Sequence, residues 1–237
     1  MRSAIVLCSG GIDSVVTAYY VKNSLKYKKI IIIFFNYGQK SLIQERIASR
    51  ICASRLNAKF IEINLSELSR ISTSLINKSG KTNNISIKDL KDTRKESKKW
   101  YVPQRNLIFI TYALALADSL YTKYNDKYAI FLGFKSEGKD PYPDTTEEFI
   151  SSVNKLSNIA SVSKSKISAP LIRKDKEDII ELGNNLGVDF THTFSCYVGK
   201  RTHCGTCLAC RLRQEGFYWA NMQDPTKYEK KMKDFRA

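Results

Sequence analysis

The stretch AIVLCSGGIDSVVTAYY, residues 4–20, carries the pattern that decides the fold. An apolar run ends at Cys8, a turn with two glycines follows, and a segment with helical patterning completes the stretch. A strand, a glycine turn and a helix in direct succession bring free backbone N–H groups and the positive end of the helix to one place. Such a place binds phosphate, and open α/β sheets hold their ligands at this end of the first strand.

The glycine turn SGGIDS, residues 9–14, offers serine hydroxyls as further donors, and its glycines let a phosphate approach the main chain. It is not a Walker loop, because no Gly-Lys-Ser/Thr follows, and it is not a G-x-G-x-x-G dinucleotide loop. Asp13 suits a phosphate site if it shares Mg²⁺ with the phosphate oxygens. Alternatively, Asp13 is a first-turn carboxylate that stabilises the helix by up to about 1 kcal/mol, and the glycines make only a tight turn.

Apolar runs and helical periods alternate along the chain. The apolar runs predict strands at 3–8, 29–35, 58–64 and 128–134. The helical periods predict helices at 13–26, 40–56, 103–124, 145–158 and 174–186. The run 29–35 is apolar at every position after its lysine, as expected of a strand covered on both faces. The alternation predicts an α/β fold with an open, mostly parallel, doubly wound sheet, similar to a Rossmann sheet.

A chain of 237 residues, 43% of them hydrophobic, is long enough for one large domain and a small appendage. We expect an ATP-binding α/β domain over 1–190 and a C-terminal unit over 191–237. The segment 66–99 is rich in Ser, Lys, Asn and Thr, and we expect a functional or mobile excursion there. No stretch approaches the ~20 apolar residues that cross a bilayer, so the sequence predicts a soluble, cytoplasmic protein without a membrane partner.

The net charge is +16, from 39 Lys and Arg against 23 Asp and Glu. Since the lysines are scattered, the charge is consistent with a solvated lysine-rich surface. It is also consistent with a basic entrance for an anionic small molecule, and the two interpretations are compatible.

Four of the six cysteines crowd into SCYVGKRTHCGTCLACR, residues 195–211, with the spacing C-x7-C-x2-C-x2-C. Thiolates spaced in this way can surround one tetrahedral Zn²⁺, and four of them leave no open position, which is typical of a structural site. The predicted ligands are Cys196, Cys204, Cys207 and Cys210. Replacement of one cysteine by His203 and an iron–sulfur cluster are the alternatives. Cys8 and Cys52 stand in apolar contexts typical of small core residues.

Four further segments accompany the glycine turn and the cysteines: FNYGQK (35–40), YVPQRNLIFITYALALA (101–117), YPDTTEEFI (142–150) and APLIRKDKEDIIELGNNLGVDFTHTFSCY (169–197). The S-G-G-x-D-S turn resembles the pyrophosphate loop of the ATP pyrophosphatase (PP-loop) superfamily. With the other segments, in this order over nearly the whole chain, it resembles the 7-cyano-7-deazaguanine synthase family. The segment 142–150 is similar to the archaeal branch of that family.

The resemblance implies a C–N bond-forming ligase of queuosine and archaeosine biosynthesis. It implies adenylation of 7-carboxy-7-deazaguanine by ATP, displacement of AMP by ammonia, and a second activation that turns the amide into the nitrile. It also implies Mg²⁺ and Zn²⁺ as cofactors, a homodimer, and no direct contact with nucleic acid. Only two histidines are present, which disfavours a Ser-His-Asp or Cys-His catalyst and favours positioning and charge stabilisation.

Residue roles follow from the matched motifs. The resemblance assigns catalysis to Asp13, Ser14 and Arg105. It assigns ATP binding to Cys8, Ser9, Gly10, Gly11, Ile12, Asp13, Ser14, Val15, Tyr37 and Gln39. It assigns substrate binding to Asn106, Asp144, Glu148 and Lys176.

Alternatives stay open for several of these residues: a surface ion pair for Arg105, a helix cap for Asp144, and a solvated surface lysine for Lys176. Two rival functions also stay open. One is another ATP pyrophosphatase that acts on tRNA, and the other is a basic zinc-bearing module that binds nucleic acid.

Overall fold

The computed structural model describes residues 2–135 and 142–230, and a five-stranded parallel sheet lies at its centre. The strands are β1 (Ser3–Leu7), β2 (Lys29–Asn36), β3 (Lys59–Asn64), β4 (Tyr128–Phe131) and β5 (Ile167–Ser168). Their order in the sheet is β3-β2-β1-β4-β5. The open parallel sheet predicted from the sequence is therefore confirmed, while the sequence pattern missed β5, which has only two residues.

The register places the carboxyl ends of the central strands side by side. Ser3 of β1 pairs with Lys29 of β2 and with Tyr128 of β4, so the three strands start level. The chain proceeds from β1 to β2 on one side and later returns to β4 on the other side. This reversal opens a crevice beyond the carboxyl ends of β1, β2 and β4, where ligands of such folds bind.

Nine α-helices lie within the described residues: α1 (Ile12–Asn23), α2 (Leu42–Arg55), α3 (Leu68–Ile71), α4 (Ile87–Leu90), α5 (Arg94–Trp100), α6 (Arg105–Tyr124), α7 (Glu147–Ala160), α8 (Lys176–Asn185) and α9 (Leu208–Trp219). Residues of α1, α2, α8 and α9 form a core on one face of the sheet, and residues of α6 and α7 form a core on the other. Successive side chains of a strand point to opposite faces of the sheet, and β2 supplies both cores in this way. Ile30 and Ile32 belong to the first core, and Ile31 and Ile33 belong to the second. The sheet is doubly wound, as predicted.

The 66–99 segment is more ordered in its packing than its composition suggests. It contains the short helices α3 and α4 and most of α5, and it buries Ile76 and Ile85 in the second core. Trp100, the last residue of α5, is buried in the same core. The excursion thus covers part of the sheet, and Ile76 also reaches the cavity described below.

The C-terminal segment packs closely on the α/β domain. Phe217 of α9 lies in the first core, edge-on to Phe190 at a centroid distance of 5.2 Å. The buried Arg213 pairs with Asp224 at 3.2 Å and donates a hydrogen bond to Thr193 Oγ1 at 2.7 Å. A domain boundary at residue 190 stays a prediction, and residues 231–237 of the predicted unit lie outside the described residues. Among the described helices, none combines the length and the apolar character that a membrane span needs.

Candidate active site

A cavity of about 290 Å³ opens at the carboxyl edge of the sheet, between the segments that follow β1, β2 and β4 and the start of α6. The sequence-predicted residues that line it are Cys8, Ser9, Asp13, Ser14, Tyr37, Arg105 and Asn106. The structure therefore gathers, around one space, residues separated by almost a hundred positions in the chain.

The glycine turn is held in place by α2. Gly10 has φ +82°, a left-handed conformation that favours glycine, and a Cβ built there would lie 2.6 Å from Ala48 Cβ and 2.8 Å from the carbonyl oxygen of Glu45. The carbonyl of Gly10 accepts a hydrogen bond from the Phe194 N–H at 2.9 Å. Ser49 Oγ donates to the carbonyl of Cys8 at 3.0 Å. These contacts fix the turn between α2 and the C-terminal segment.

The hydroxyls of the turn lie together at the N-terminus of α1. Ser9 Oγ and Ser14 Oγ are 3.4 Å apart, and Ser14 Oγ donates to the carbonyl of Gly11 at 3.0 Å. Gly11 is the N-cap residue and has no side chain with which to cap the helix. Gly133 packs against this first turn, since a Cβ there would lie 2.7 Å from Ser14 Cα. The first turn of α1 thus presents hydroxyls and a positive helix end to the cavity.

Ile12 and Val15, predicted as ATP contacts, point elsewhere. Both side chains lie in the first core, so at Ile12 only the backbone belongs to the turn, and Val15 follows it in the helix α1. Cys8 is buried between core and cavity, with Sγ 3.6 Å from Ser14 Oγ. A hydrogen bond from the Cys52 thiol, which outweighs desolvation, lowers the pKa of Cys8 to about 7.

Lys176 and Asp13 form an ion pair beside the turn. Lys176 Nζ donates to both carboxylate oxygens of Asp13, at 2.6 and 2.7 Å, across 163 positions of sequence. The lysine side chain is only 19% exposed. Lys176, the first residue of α8, is therefore not a solvated surface lysine, and it places a cation next to the phosphate-type loop.

The segment after β2 contributes an ordered turn. Gln39 Oε1 accepts from the N–H of Tyr37 at 2.9 Å, and Gln39 Nε2 donates to the carbonyl of Phe35 and to Glu45, both at 3.0 Å. Gln39 itself is buried and does not line the cavity, so its contacts fix the turn that presents Tyr37. Desolvation raises the pKa of Tyr37 to about 12, which keeps the phenol neutral.

The start of α6 presents Arg105 to the cavity. The Arg105 guanidinium lies over the Tyr37 ring at 5.5 Å, and its Nη1 is 3.4 Å from the Tyr37 hydroxyl. The preceding residue, Gln104, has φ +58°, which turns the chain sharply into the helix. Arg105 thus faces the cavity and contacts Tyr37 there. This placement differs from the surface ion pair that the sequence left open as its alternative role.

The segment 142–150 reaches the cavity, but not through Asp144 and Glu148, the two residues that were predicted to bind substrate. Asp144 is buried, its carboxylate accepts from the N–H of Asn106 at 3.4 Å, and its carbonyl accepts from Asn106 Nδ2 at 3.2 Å. Asp144 therefore contacts the first turn of α6, whereas the N-cap of α7, the helix that follows Asp144, is Thr146. Glu148 is exposed on α7, and neither residue lines the cavity, whereas Tyr142 and Thr145 do.

Aromatic side chains that the motif analysis missed form one wall. Phe109 stacks on Phe35 with centroids 4.0 Å apart and an interplanar angle of 3°, and it meets Tyr37 edge-on at 5.4 Å. Its position four residues after Arg105, on the same face of α6, is the signal that could have identified it. The other missed residues of the lining include Glu45, Phe134, Lys135 and Tyr197. A wall of this kind suits a planar aromatic ligand.

The four predicted metal ligands converge in the C-terminal segment. The Sγ atoms of Cys196, Cys204, Cys207 and Cys210 all lie within 4.8 Å of one another, and all four residues are buried. Backbone N–H groups donate to the sulfurs, from Cys204 to Cys196 at 3.4 Å and from Cys207 to Cys204 at 3.3 Å. Hydrogen bonds from the other three thiols, first that of Cys196, hold the pKa of Cys204 below its usual value. A closed set of four buried sulfurs fits a metal such as Zn²⁺.

His203 serves a different purpose from the cysteines. Its Nε2 accepts from the N–H of Ser195 at 3.0 Å, and its ring packs on Phe194 with centroids 4.4 Å apart. Burial lowers the pKa of His203 to about 4, so the ring is neutral at physiological pH. His203 is therefore a packing residue next to the cluster, and it is not one of the converging ligands.

Residues 3–221 match the model of the family described as queuosine biosynthesis protein QueC. The chain belongs to this family. It is 36% identical to the 7-cyano-7-deazaguanine synthase of Methanosphaera stadtmanae, over 96% of this chain and 98% of that protein. It is 32% identical to the enzyme of the same name from Methanothermobacter thermautotrophicus, over 95% and 98%, and 37% identical to that of Nitratiruptor sp., over 95% and 98%.

These relatives include archaeal proteins, as the form of residues 142–150 led us to expect. Their similarity spans both the glycine turn and the cysteine cluster, since each covers nearly the whole chain. The matches do not favour the tRNA-modifying or nucleic-acid-binding alternatives.

Proposed function

We propose that this protein is a 7-cyano-7-deazaguanine synthase, which makes the nitrile from 7-carboxy-7-deazaguanine, ammonia and ATP. The observation that supports this most strongly is the shared cavity of the phosphate-type loop 9–14, Arg105 and the aromatic wall around Phe109, in a chain of the QueC family. The loop suits a pyrophosphate, the wall suits a planar heterocycle, and a carboxylate attached to that heterocycle would reach the loop.

In this proposal the loop binds the phosphates of ATP. The hydroxyls of Ser9 and Ser14 and the backbone of the two glycines would hold the departing pyrophosphate, and Lys176 would add a positive charge beside it. Asp13 and phosphate oxygens would together hold Mg²⁺, which when bound would neutralise charge on the leaving group. The Asp13 carboxylate lines the cavity and is oriented by Lys176, so its chemistry and position fit this ion.

The deazaguanine would lie along the aromatic wall. Phe109 and Tyr37 would contact its faces and edges, and Arg105 would orient the carboxylate with its planar guanidinium. Attack of that carboxylate on the α-phosphorus of ATP would release pyrophosphate and form an acyl adenylate. Ammonia would displace AMP, and a second activation of the amide oxygen at the same loop would lead to the nitrile. Positioning and charge stabilisation would supply the catalysis.

The four cysteines would hold Zn²⁺ in a structural role. Their closed shell leaves no position for substrate, and the backbone N–H groups around the sulfurs favour their ionised form. The resemblance to the family supports a homodimer in the cytoplasm that makes no direct contact with nucleic acid. Sedimentation would test the homodimer, and a tRNA-binding titration would test the absence of contact with nucleic acid.

The test of the function is pyrophosphate release that depends on 7-carboxy-7-deazaguanine. We expect release with the wild-type protein and its loss in Asp13→Asn, whose side chain keeps its size and loses the charge for the metal. Glu181→Gln, an exposed change on α8, is the control and should leave the release intact. Release that does not depend on the deazaguanine would refute the proposed substrate.

A further inference from the structure

Glu45, in the first turn of α2, lines the cavity and has no role in the function proposed above. Ser41 Oγ donates to its Oε1 at 2.6 Å, and Gln39 Nε2 donates to its Oε2 at 3.0 Å. Each carboxylate oxygen can accept a further hydrogen bond. The side chain is therefore held in one orientation and still has acceptor capacity for a ligand.

Glu45 also lies next to the place where the reaction would occur. Its carbonyl oxygen is in contact with the glycine turn, 2.8 Å from a Cβ built on Gly10. Its carboxylate interacts electrostatically with Arg105 and Tyr37, which line the same cavity. Glu45 thus adjoins the glycine turn through its backbone, and its side chain shares the cavity with Arg105, the group expected to orient the substrate carboxylate.

The proposed reaction needs a proton acceptor at this point. An ammonium ion, like a lysine ammonium with its pKa of about 10.4, keeps its proton at pH 7 and cannot attack carbon in that form. A carboxylate in a partly dry cavity attracts such a cation and can then accept its proton. The two histidines do not supply a base here, since neither lines the cavity.

We propose that Glu45 binds ammonium and takes one of its protons, and this inference rests on the proposed function. The freed lone pair attacks the acyl carbon of the adenylate and forms the C–N bond. The bond from that carbon to the phosphate oxygen then breaks, and its electron pair leaves with AMP. The positively charged nitrogen of the product loses a second proton to solvent, which leaves the neutral amide.

The surroundings of Glu45 suit a proton acceptor. Desolvation raises its pKa, and hydrogen bonds from Ser41 and Gln39 and the charge of Arg105 offset this only in part. A carboxylate with a raised pKa is a stronger base than an exposed one. The other titratable and charged groups that line the cavity are Cys8, Asp13, Tyr37, Arg105, Lys135, Tyr142 and Tyr197.

The experiment compares two nucleophiles in wild type and in Glu45→Gln. Hydroxylamine is a much weaker base than ammonia, is mostly unprotonated at pH 7, and converts the adenylate into a hydroxamate without a base. With ammonium at pH 7 we expect Glu45→Gln to lose about 10²-fold or more of its amide formation. Its hydroxamate formation and its substrate-dependent ATP–pyrophosphate exchange should be little changed. Its amide formation should recover by about tenfold per pH unit as free ammonia rises.

Glu181→Gln is again the control, and a thermal melt shows whether each variant is folded. Amide formation by Glu45→Gln with the wild-type rate and pH profile would overturn the inference and leave the proposed function intact. Joint loss of amide, hydroxamate and exchange would also overturn it, because Glu45 would then hold the substrate or the turn. A wild-type protein that shows no exchange with 7-carboxy-7-deazaguanine would overturn the proposed function, and the inference with it.

Discussion

Gly10 and Gly187 form a matched pair that separates backbone strain from steric contact. Both have positive φ, +82° and +76°, so an alanine at either position pays the left-handed penalty of about 1–2 kcal/mol. At Gly187 the new methyl meets nothing within 4 Å. At Gly10 it would lie 2.6 Å from Ala48 Cβ and 3.0 Å from the N atom of Ser49, and α2 would have to shift.

Overpacking of this kind typically costs about 1–3 kcal/mol. We therefore expect Gly187→Ala to lower the free energy of unfolding by about 1–2 kcal/mol and Gly10→Ala by about 2–5 kcal/mol, the sum of strain and overpacking. For a chain of this size the extra loss at Gly10 corresponds to about 2–12 °C in melting temperature. Gly10→Ala should also impair pyrophosphate release, because the turn it displaces faces the cavity.

Urea unfolding of both variants, followed by circular dichroism, measures the difference. Equal destabilisation of the two variants would refute the reasoning, since it would mean that the contact of the turn with α2 has no energetic weight. Normal pyrophosphate release by a folded Gly10→Ala would show that the turn need not approach the phosphates closely.

Three further changes test other parts of the molecule. Asp224→Asn leaves the charge of the buried Arg213 without its carboxylate and should cost about 3–5 kcal/mol in urea unfolding; a loss below about 1 kcal/mol would contradict the pairing. Cys207→Ser should lower the zinc content measured by mass spectrometry and expose the C-terminal segment to protease, and full zinc retention would argue against the four-sulfur site. Although desolvation opposes it, hydrogen bonding, chiefly from Ser161, holds the pKa of Asp118 below its usual value. The stabilisation from Asp118 is therefore present above the usual carboxyl pKa and is lost as pH falls through the lowered pKa of the folded protein. We expect Asp118→Asn to make the free energy of unfolding depend less on pH in the acid range. An unchanged pH dependence would contradict this.

The fold was largely predictable because its central strands are strongly apolar and its helices are periodic. Strand β2 is apolar over six consecutive residues, and only a sheet covered on both faces accommodates such a run. Strand β5 was not predictable, since two residues show no period and its pairing with β4 is a tertiary effect. The packing of Ile76 and Ile85 was hidden for a similar reason, because they lie in a polar segment without a clear hydrophobic period.

The site was predictable where a local motif defines it and not where distant segments meet. The glycine turn and the cysteine spacing, both short stretches of sequence, point to Ser14, which lines the cavity, and to the four cysteines whose sulfurs converge. The placement of Glu45 depends on how α2 packs against the sheet, which no local pattern specifies, whereas Phe109 follows Arg105 by about one turn of the same helix. Gln39 matches a motif, but its side chain forms hydrogen bonds within the turn and does not line the cavity. A motif identifies a position in the sequence and does not specify which way the side chain points.

The most direct test of the proposed function is mass spectrometry of a reaction that contains 7-carboxy-7-deazaguanine, ATP, Mg²⁺ and ¹⁵N-labelled ammonium. We expect 7-cyano-7-deazaguanine that carries the label in its nitrile nitrogen, with AMP formed for each of the two activations. Supplying the unlabelled amide in place of the acid should give the nitrile without the label, and Asp13→Asn should abolish both reactions if one loop serves both. ATP consumption without a labelled amide or nitrile would contradict the proposed function.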